Sequence, residues 1–280
     1  MNPISSELLG ISVVLPILNE ERYLEDTVAA ILTQDYAGEF EVILALGPSK
    51  DQTDEIATRI AESDSRVVLV SNPTGRTAAG LNAAIAAAKF PVISRIDGHA
   101  EVSKNYLASA AKLLANTGAV NVGGVMNAVG KNRFERAVAT AMRSPLGVGA
   151  SRFHTGGSAG PADTVYLGTF NKSALLEAGG FDERFTRAQD WELNFRLRKN
   201  GGIVWFDPSL VVTYRPRSSL RALAKQYFQY GTWRRAVSRS HKGSVNLRYL
   251  APPTALIINF ASLILGAFYS PIFLIPFAIY

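Results

Sequence analysis

Two carboxylates and an imidazole carry the clearest chemistry in this chain of 280 residues: Asp97 and His99 in RIDGHA, and Asp190 in AQDWELNFRL. The run before RIDGHA reads as a strand, and a period of two turns Asp97 and His99 toward the same mouth. A carboxylate and an imidazole so placed can hold a divalent ion that bridges a diphosphate. Oxygen suits magnesium or manganese, and the imidazole tilts the choice toward manganese. Asp-x-His is also ordinary turn chemistry at the end of a strand. Asp190 opens a stretch with helical spacing, where an Asp is either a cap worth about 1 kcal/mol or a general base held at a cleft. In the second reading Trp191 offers a face to a sugar ring.

Two further stretches have the same double character. In TGRTAAGLNAAI, Gly75, Arg76 and Gly80 surround a helix start, where free N–H groups and the helix dipole favour phosphate. The plain alternative is a glycine turn with a surface arginine. In YLGTFNKSALLEAGGFDERF, Gly168 and the pair Gly179–Gly180 punctuate a strand, a short helix and a turn.

The elements that must position these groups alternate. ISVVLP (11–16), FEVILAL (40–46), RVVLV (66–70) and PVISRID (91–97) read as strands. Helices are expected over 21–33, 54–63, 77–89 and 104–116, and another from about Asp190. Strand–helix alternation implies a mostly parallel sheet with helices on both faces. Ligands bind such sheets outside the carboxyl ends of the strands. Asn19, Glu20, the 47–51 turn and Asp97–His99 all fall there. No GxGxxG follows the first strand and no GxxxxGK[ST] occurs, which argues against a dinucleotide oxidoreductase and a P-loop enzyme. Zero cysteines exclude a disulfide scaffold, a thiolate zinc site and a cysteine nucleophile.

Taken in order, ISVVLPILNE, SKDQTDEI, GRTAAGLNAAI, RIDGHA, GTFNKSALLEAGGFDERF and QDWELNFRL resemble the inverting glycosyltransferases of family 2. The resemblance runs over about residues 10–240 and is nearest to the membrane-associated enzymes of the succinoglycan-biosynthesis type. It implies the Rossmann-like, nucleotide-sugar-binding GT-A fold and a nucleotide-sugar donor, a UDP-sugar first. It further implies a lipid-linked or glycan acceptor and Mn2+ or Mg2+ as cofactor. Carried over by residue, it places Pro16, Asn19, Glu20, Arg76, Asn82 and Asp97 at the donor and makes Asp97 and His99 the metal ligands. Asp190 becomes the catalytic base. Gly168, Thr169, Trp191, Gln229 and Trp233 fall on the acceptor side. The family's base-binding Asp after the second strand is replaced here by Gly47 in LGPS, leaving Asp51 as the nearest substitute. The usual Glu before the base is Gln189, and the loss of that like charge predicts a more readily ionised Asp190.

Charge divides the chain. From Pro208 onward there are nine Lys/Arg and no Asp/Glu, so residues 1–207 carry 20 basic against 23 acidic residues within a net charge of +6. After Arg248 no charge appears. These patterns predict a catalytic domain (1–214), a basic amphipathic interfacial segment (215–248) and one or more hydrophobic transmembrane segments (249–280), with a second apolar run opening at Pro271, cut within a longer membrane protein. The basic side is placed at the cytoplasmic leaflet by the positive-inside rule. The basic excess is therefore read as a membrane address, with membrane lipids and not nucleic acid as partner. The glycine-rich stretch 131–165 is expected to be a mobile lid. Two other activities stay open: transfer to a polyprenyl phosphate, and a catalytically inactive, membrane-tethered binding protein on the same fold.

Overall fold

The computed structural model describes residues 8–148, 151–244 and 251–279. Arg248 of the basic stretch and Tyr249 lie outside them. Four strands open the chain in strict alternation with helices: β1 (Ile11–Ile17), α1 (Leu24–Leu32), β2 (Phe40–Leu46), α2 (Thr53–Ser63), β3 (Val67–Ser71), α3 (Thr77–Ala87) and β4 (Val92–Arg95). There follow β5 (Glu101–Val102), α4 (Tyr106–Thr117), β6 (Asn121–Ala128), α5 (Arg133–Met142), and the short α6 (Pro145–Val148) and α7 (Arg152–Thr155). The sheet is completed by β7 (Gly160–Pro161), β8 (Tyr166–Asn171), α8 (Lys172–Glu177), α9 (Gln189–Lys199) and β9 (Val204–Tyr214). The sheet order is β3-β2-β1-β4-β8-β6-β9-β5, with β7 beside β9. Strands β1 to β4 run parallel, and β8 enters antiparallel between β4 and β6.

β1 is central because it is apolar on both faces. Ile11, Val13, Leu15 and Ile17 join α1, α2 and α4 in one core, while Val14 joins α3, α8 and α9 in the other. A buried pair of hydroxyls, Ser94 Oγ and Thr169 Oγ1 at 3.0 Å, ties β4 to β8. Thr169 is fully buried, so this acceptor-side candidate serves the sheet interior and not the crevice.

Three further expectations need correction. β4 stops at Arg95, so Asp97 and His99 sit in a turn closed by the Ala100 amide on the Asp97 carbonyl at 2.9 Å, not on a strand of period two. Where a glycine-rich loop is expected over 131–165, the described residues hold α5, α6, α7 and β7. α5 begins with a full capping box, in which Asn132 accepts from the Glu135 amide while Glu135 reaches back. α5 also packs its Val138, Ala139 and Met142 on Met126 and Ala128 of β6.

The third concerns the tail. After α10 (Leu220–Ser240) comes α11 (Ala251–Phe268), a 3₁₀ turn (Pro271–Leu274) and α12 (Ile275–Ile279). Among the described residues no helix is long and apolar enough to cross a membrane. Ser270 ends the α11 run and caps the turn that Pro271 opens, and the Ser262 hydroxyl donates to the Phe273 carbonyl. The apolar run therefore doubles back as a hairpin of helices instead of continuing straight.

Gly168 shows a local cost of the sheet's mixed register. It lies at φ +103°, and a Cβ there would stand 2.7 Å from Asn121 Oδ1 and from the Phe170 ring. Backbone strain of this kind costs about 1–3 kcal/mol for a residue with a Cβ. Gly168→Ala is expected to lower the melting temperature, measured by calorimetry, more than Gly179→Ala, whose added Cβ meets nothing within 4 Å.

Candidate functional site

The crevice forms at the carboxyl ends of β1, β2 and β4, and short polar ties draw its loops together. Asn19, at φ +56°, donates its amide to Ser49 Oγ at 3.1 Å and accepts from the Lys50 amide at 2.8 Å. The Glu20 amide donates to Thr53 Oγ1 at 2.8 Å. Asp51 accepts from the Thr53 hydroxyl at 2.5 Å and from the Glu21 amide at 3.3 Å. That hydroxyl above all holds the Asp51 carboxyl below its ordinary range. Asp51 thus braces the loop. The acid lining the cavity of about 410 Å³ between the ends of β2 and β3 is Asp54, alongside Gly47, Pro48, Leu69 and Ser71. A Cβ at Gly47 would meet Gly75 and the Ile17 carbonyl at 3.1 Å, a tight fit that asks the neighbouring backbone to give by a few tenths of an ångström.

On the α3 side, Pro16 packs toward Gly80, and Arg76 stands exposed at the N-cap of α3. The Asn82 amide group is occupied: it donates to the Phe181 carbonyl at 2.8 Å and to Glu183 Oε1 at 2.9 Å, and accepts from the Phe181 amide at 2.9 Å. It pins the AGGF turn to α3.

At the crevice floor lies a residue that sequence reasoning passed over. Arg95, the last residue of β4, has a side chain only 5% exposed. Its Nε and Nη2 donate to Asp97 Oδ1 at 3.2 and 2.9 Å, and its Nη1 donates to Asp190 Oδ1. Burial opposes the guanidinium charge, but Asp190 and Asp97 more than offset it and keep Arg95 protonated. The Asp190 side chain is 33% exposed and so within reach of a ligand. Burial raises its pKa and Asp97 adds to the rise, against the lowering by Arg95. The Asp190 carboxyl thus stands above its ordinary range even with the neutral Gln189 beside it. Arg95 was legible as an unusual charge inside the apolar run PVISRID.

His99 Nδ1 lies 2.8 Å from Glu20 Oε1. That hydrogen bond is the main cause that raises the His99 pKa, against a smaller lowering by burial. The pairing also orients the ring with Nε2 away from Glu20, the arrangement by which carboxylates set histidines as metal ligands. Arg95 engages only one oxygen of Asp97. Among the described residues no group of three or more His, Asp or Glu gathers as a cage. One carboxylate oxygen and one imidazole nitrogen fit a divalent ion that takes its remaining ligands from substrate phosphates and water.

The acceptor-side candidates divide. Gly168 lies in β8 and Thr169 is interior, as above. Trp191 is only 9% exposed and packs with Phe185 and Val237, so it cannot present its face to a sugar. Trp233 lies edge-on to Phe185 with centroids 6.3 Å apart, while Gln229 sits half-buried a turn earlier on α10. α9 itself is heavily pinned. Asn194 accepts from Asn121 at 2.7 Å, and the buried Glu192 accepts from Arg196 at 2.6 Å and pairs with His241 at 2.8 Å.

Comparison with known proteins agrees with this geometry. Residues 12–177 match the model of glycosyl transferase family 2. The chain is 33% identical over 264 residues to the succinoglycan biosynthesis protein ExoA of Rhizobium meliloti (strain 1021), covering 93% of this chain and 80% of that protein. It is 25% identical over 265 residues to a dolichyl N-acetyl-alpha-D-glucosaminyl phosphate 3-beta-D-2,3-diacetamido-2,3-dideoxy-beta-D-glucuronosyltransferase of Methanococcus voltae, covering 91% and 82%. Among solved structures, a mannosyltransferase of Pyrobaculum calidifontis in complex with GDP-Man and Mn2+ superposes with a TM-score of 0.70 at 21% identity, covering 96% of this chain and 78% of that one. That likeness shows the GT-A fold.

The Glu20–His99 pairing makes a direct prediction. Glu20→Gln removes the charge that favours the imidazolium while burial remains, so the His99 titration midpoint is expected to fall. Ring resonances followed by NMR in metal-free protein measure it, and an unchanged midpoint would refute the pairing.

Proposed function

The chain belongs to glycosyl transferase family 2, and from that premise we propose that it moves a sugar from a nucleotide-sugar donor to a hydroxyl of a lipid-linked or polysaccharide acceptor, with inversion. The observation that carries this reading is the crevice-floor pair, Asp97 at the donor side and Asp190 one guanidinium away, at the carboxyl edge of a GT-A sheet. UDP-sugars are the first donors to test, with GDP- and dTDP-sugars beside them. The cavity lined by Gly47, Pro48 and Asp54 is of a size for the base. The names of two relatives, one in succinoglycan biosynthesis and one acting on a dolichyl-linked saccharide, support a cell-envelope or exopolysaccharide product.

In this mechanism Asp97 and His99 would hold Mn2+ or Mg2+, which supplies Lewis-acid neutralisation of the leaving nucleoside diphosphate. Asp190 accepts the proton of the acceptor hydroxyl as that oxygen attacks the anomeric carbon. The carbon–oxygen bond to the diphosphate breaks on the opposite face, and its electron pair leaves with the diphosphate. A raised pKa suits Asp190 to this work, since proton transfer is best served by a base near the working pH and contributes about 10²–10⁴-fold.

The same reading places the protein at the cytoplasmic face of a membrane. α10 packs Leu223 and Val237 inward, while Arg221, Lys225, Phe228, Arg235 and Arg239 follow one another at helical spacing on its exposed side. A stripe of cations around an exposed Phe is the surface that anionic lipid attracts. The hairpin of α11 and α12 exposes Leu256, Ile257, Phe260, Phe268, Ile272 and Ile279 without a single charge, which suits burial in the acyl region.

Two measurements test the proposal. Asp190→Asn is expected to reduce sugar transfer from a panel of UDP-, GDP- and dTDP-sugars by at least about 100-fold while nucleotide binding, followed by thermal shift with manganese, stays near wild type. Equal activity in the variant would overturn the base assignment. Neutralising Arg221, Arg235 and Arg239 together is expected to abolish binding to phosphatidylserine vesicles in a sedimentation assay, and undiminished binding would overturn the lipid contact.

A further inference from the structure

We propose that Arg95 is a positioning residue that fixes the distance between the donor-side carboxylate Asp97 and the base Asp190 through one rigid guanidinium. The inference rests on the transferase reading above and assigns a residue that reading does not use.

Three observations carry it. The Arg95 side chain is almost wholly buried, so it cannot reach far into the crevice and acts through what it touches. What it touches are two carboxylates from different elements. One is two residues along the chain and the other ninety-five residues away at the first turn of α9. The fork is also divided: Nε and Nη2 grip Asp97 Oδ1 and Nη1 reaches Asp190 Oδ1. A planar guanidinium can serve both groups at a fixed spacing, whereas an ammonium is a point donor on a flexible stem.

The placement of Asp190 explains why such a device is useful. The residue follows Ala188, whose φ of +62° turns the chain sharply into α9. The pins along α9, at Glu192, Asn194 and Arg196, all lie beyond Asp190. At Asp190 itself Arg95 is what ties the helix start to β4. Two carboxylates that must both face the same reacting sugar repel one another, and Arg95 converts that repulsion into a defined span. Displacing a reacting group by about 1 Å costs on the order of 100-fold in rate, which sets the scale of the expected effect.

The test uses Arg95→Lys, Asp190→Asn and the double variant, with turnover measured on the donor selected by the panel above. Arg95→Lys keeps a cation beside Asp97, so binding of Mn2+–UDP by calorimetric titration is expected to change little while kcat falls about 100-fold. The melting temperatures of the four proteins are expected to be non-additive, because the Lys and Asn variants remove the same link. Wild-type kcat in Arg95→Lys, or additive melting shifts, would overturn the positioning role and leave the transferase reading standing. Failure of the wild-type protein to turn over any donor would instead overturn that reading, and the positioning role with it. Should Arg95→Lys not fold, proton exchange of the Arg95 guanidinium in the wild type decides. Slow exchange, lost in Asp190→Asn, supports the link, and fast exchange in the wild type overturns it.

Discussion

A guanidinium buried between two carboxylates is the contact around which the crevice is arranged. Asp97 and Asp190 belong to different elements, and each is useful only if both face one small volume. Unscreened, their charges would oppose that convergence, and the cost rises as water is excluded. Arg95 removes the conflict from below, where it does not compete with a ligand for space. Its position at the end of β4 follows from the sheet: a central parallel strand delivers its last side chain to the carboxyl edge, where ligands bind. The depth of that burial also explains the two pKa directions. Burial and Asp97 push Asp190 up while Arg95 pulls it down, and Arg95 stays charged because it has two partners.

From that contact the dependence runs outward through α9. Its start is set by Arg95, and its body by Asn194 on Asn121 and by Arg196 on Glu192 and the Gly180 carbonyl at 2.7 Å. Phe185, Trp191 and Val237 then join α9 and α10 in one small apolar cluster, with Trp233 packed against it. Trp191, expected to offer a face to a sugar ring, is thus part of the joint between α9 and the basic α10. His241, pairing with the buried Glu192, closes the joint at the far end of α10. α10 is thereby mechanically continuous with α9, on which Asp190 lies.

Much of the fold was legible because its signals are local. Apolar β-rich runs and helical spacing placed the first four strands and their helices to within a few residues, and alternation alone implied the parallel sheet. The positions of Asp97 and Asp190 were legible for the same reason, since strand ends and helix starts are where such sheets gather chemistry. What escaped were properties of packing. Thr169 and Trp191 are polar or amphipathic residues in the right neighbourhood, but side-chain direction is fixed by the partner strand in one case and by α10 in the other. Asp51 had the right type and position for a base anchor, yet Thr53 two residues on gave it a nearer partner. Arg95 escaped because its significance lies in a contact ninety-five residues away, and no periodicity encodes that.

The tail shows where a local signal gives way to a single break. An uncharged run behind a basic stretch satisfies the composition of a spanning helix, and length alone favours that outcome at about 1.5 Å per residue. Ser270 and Pro271 divide that run in two. Proline cannot continue the hydrogen-bond ladder of the helix before it, and the serine hydroxyl caps the turn that follows. Gly266 then allows the Leu274 side chain to close against α11. At about 1.5 Å per residue, the eighteen residues of α11 extend about 27 Å. α11 and the turn that folds back on it thus form an uncharged, apolar hairpin that follows the cationic α10 in the chain.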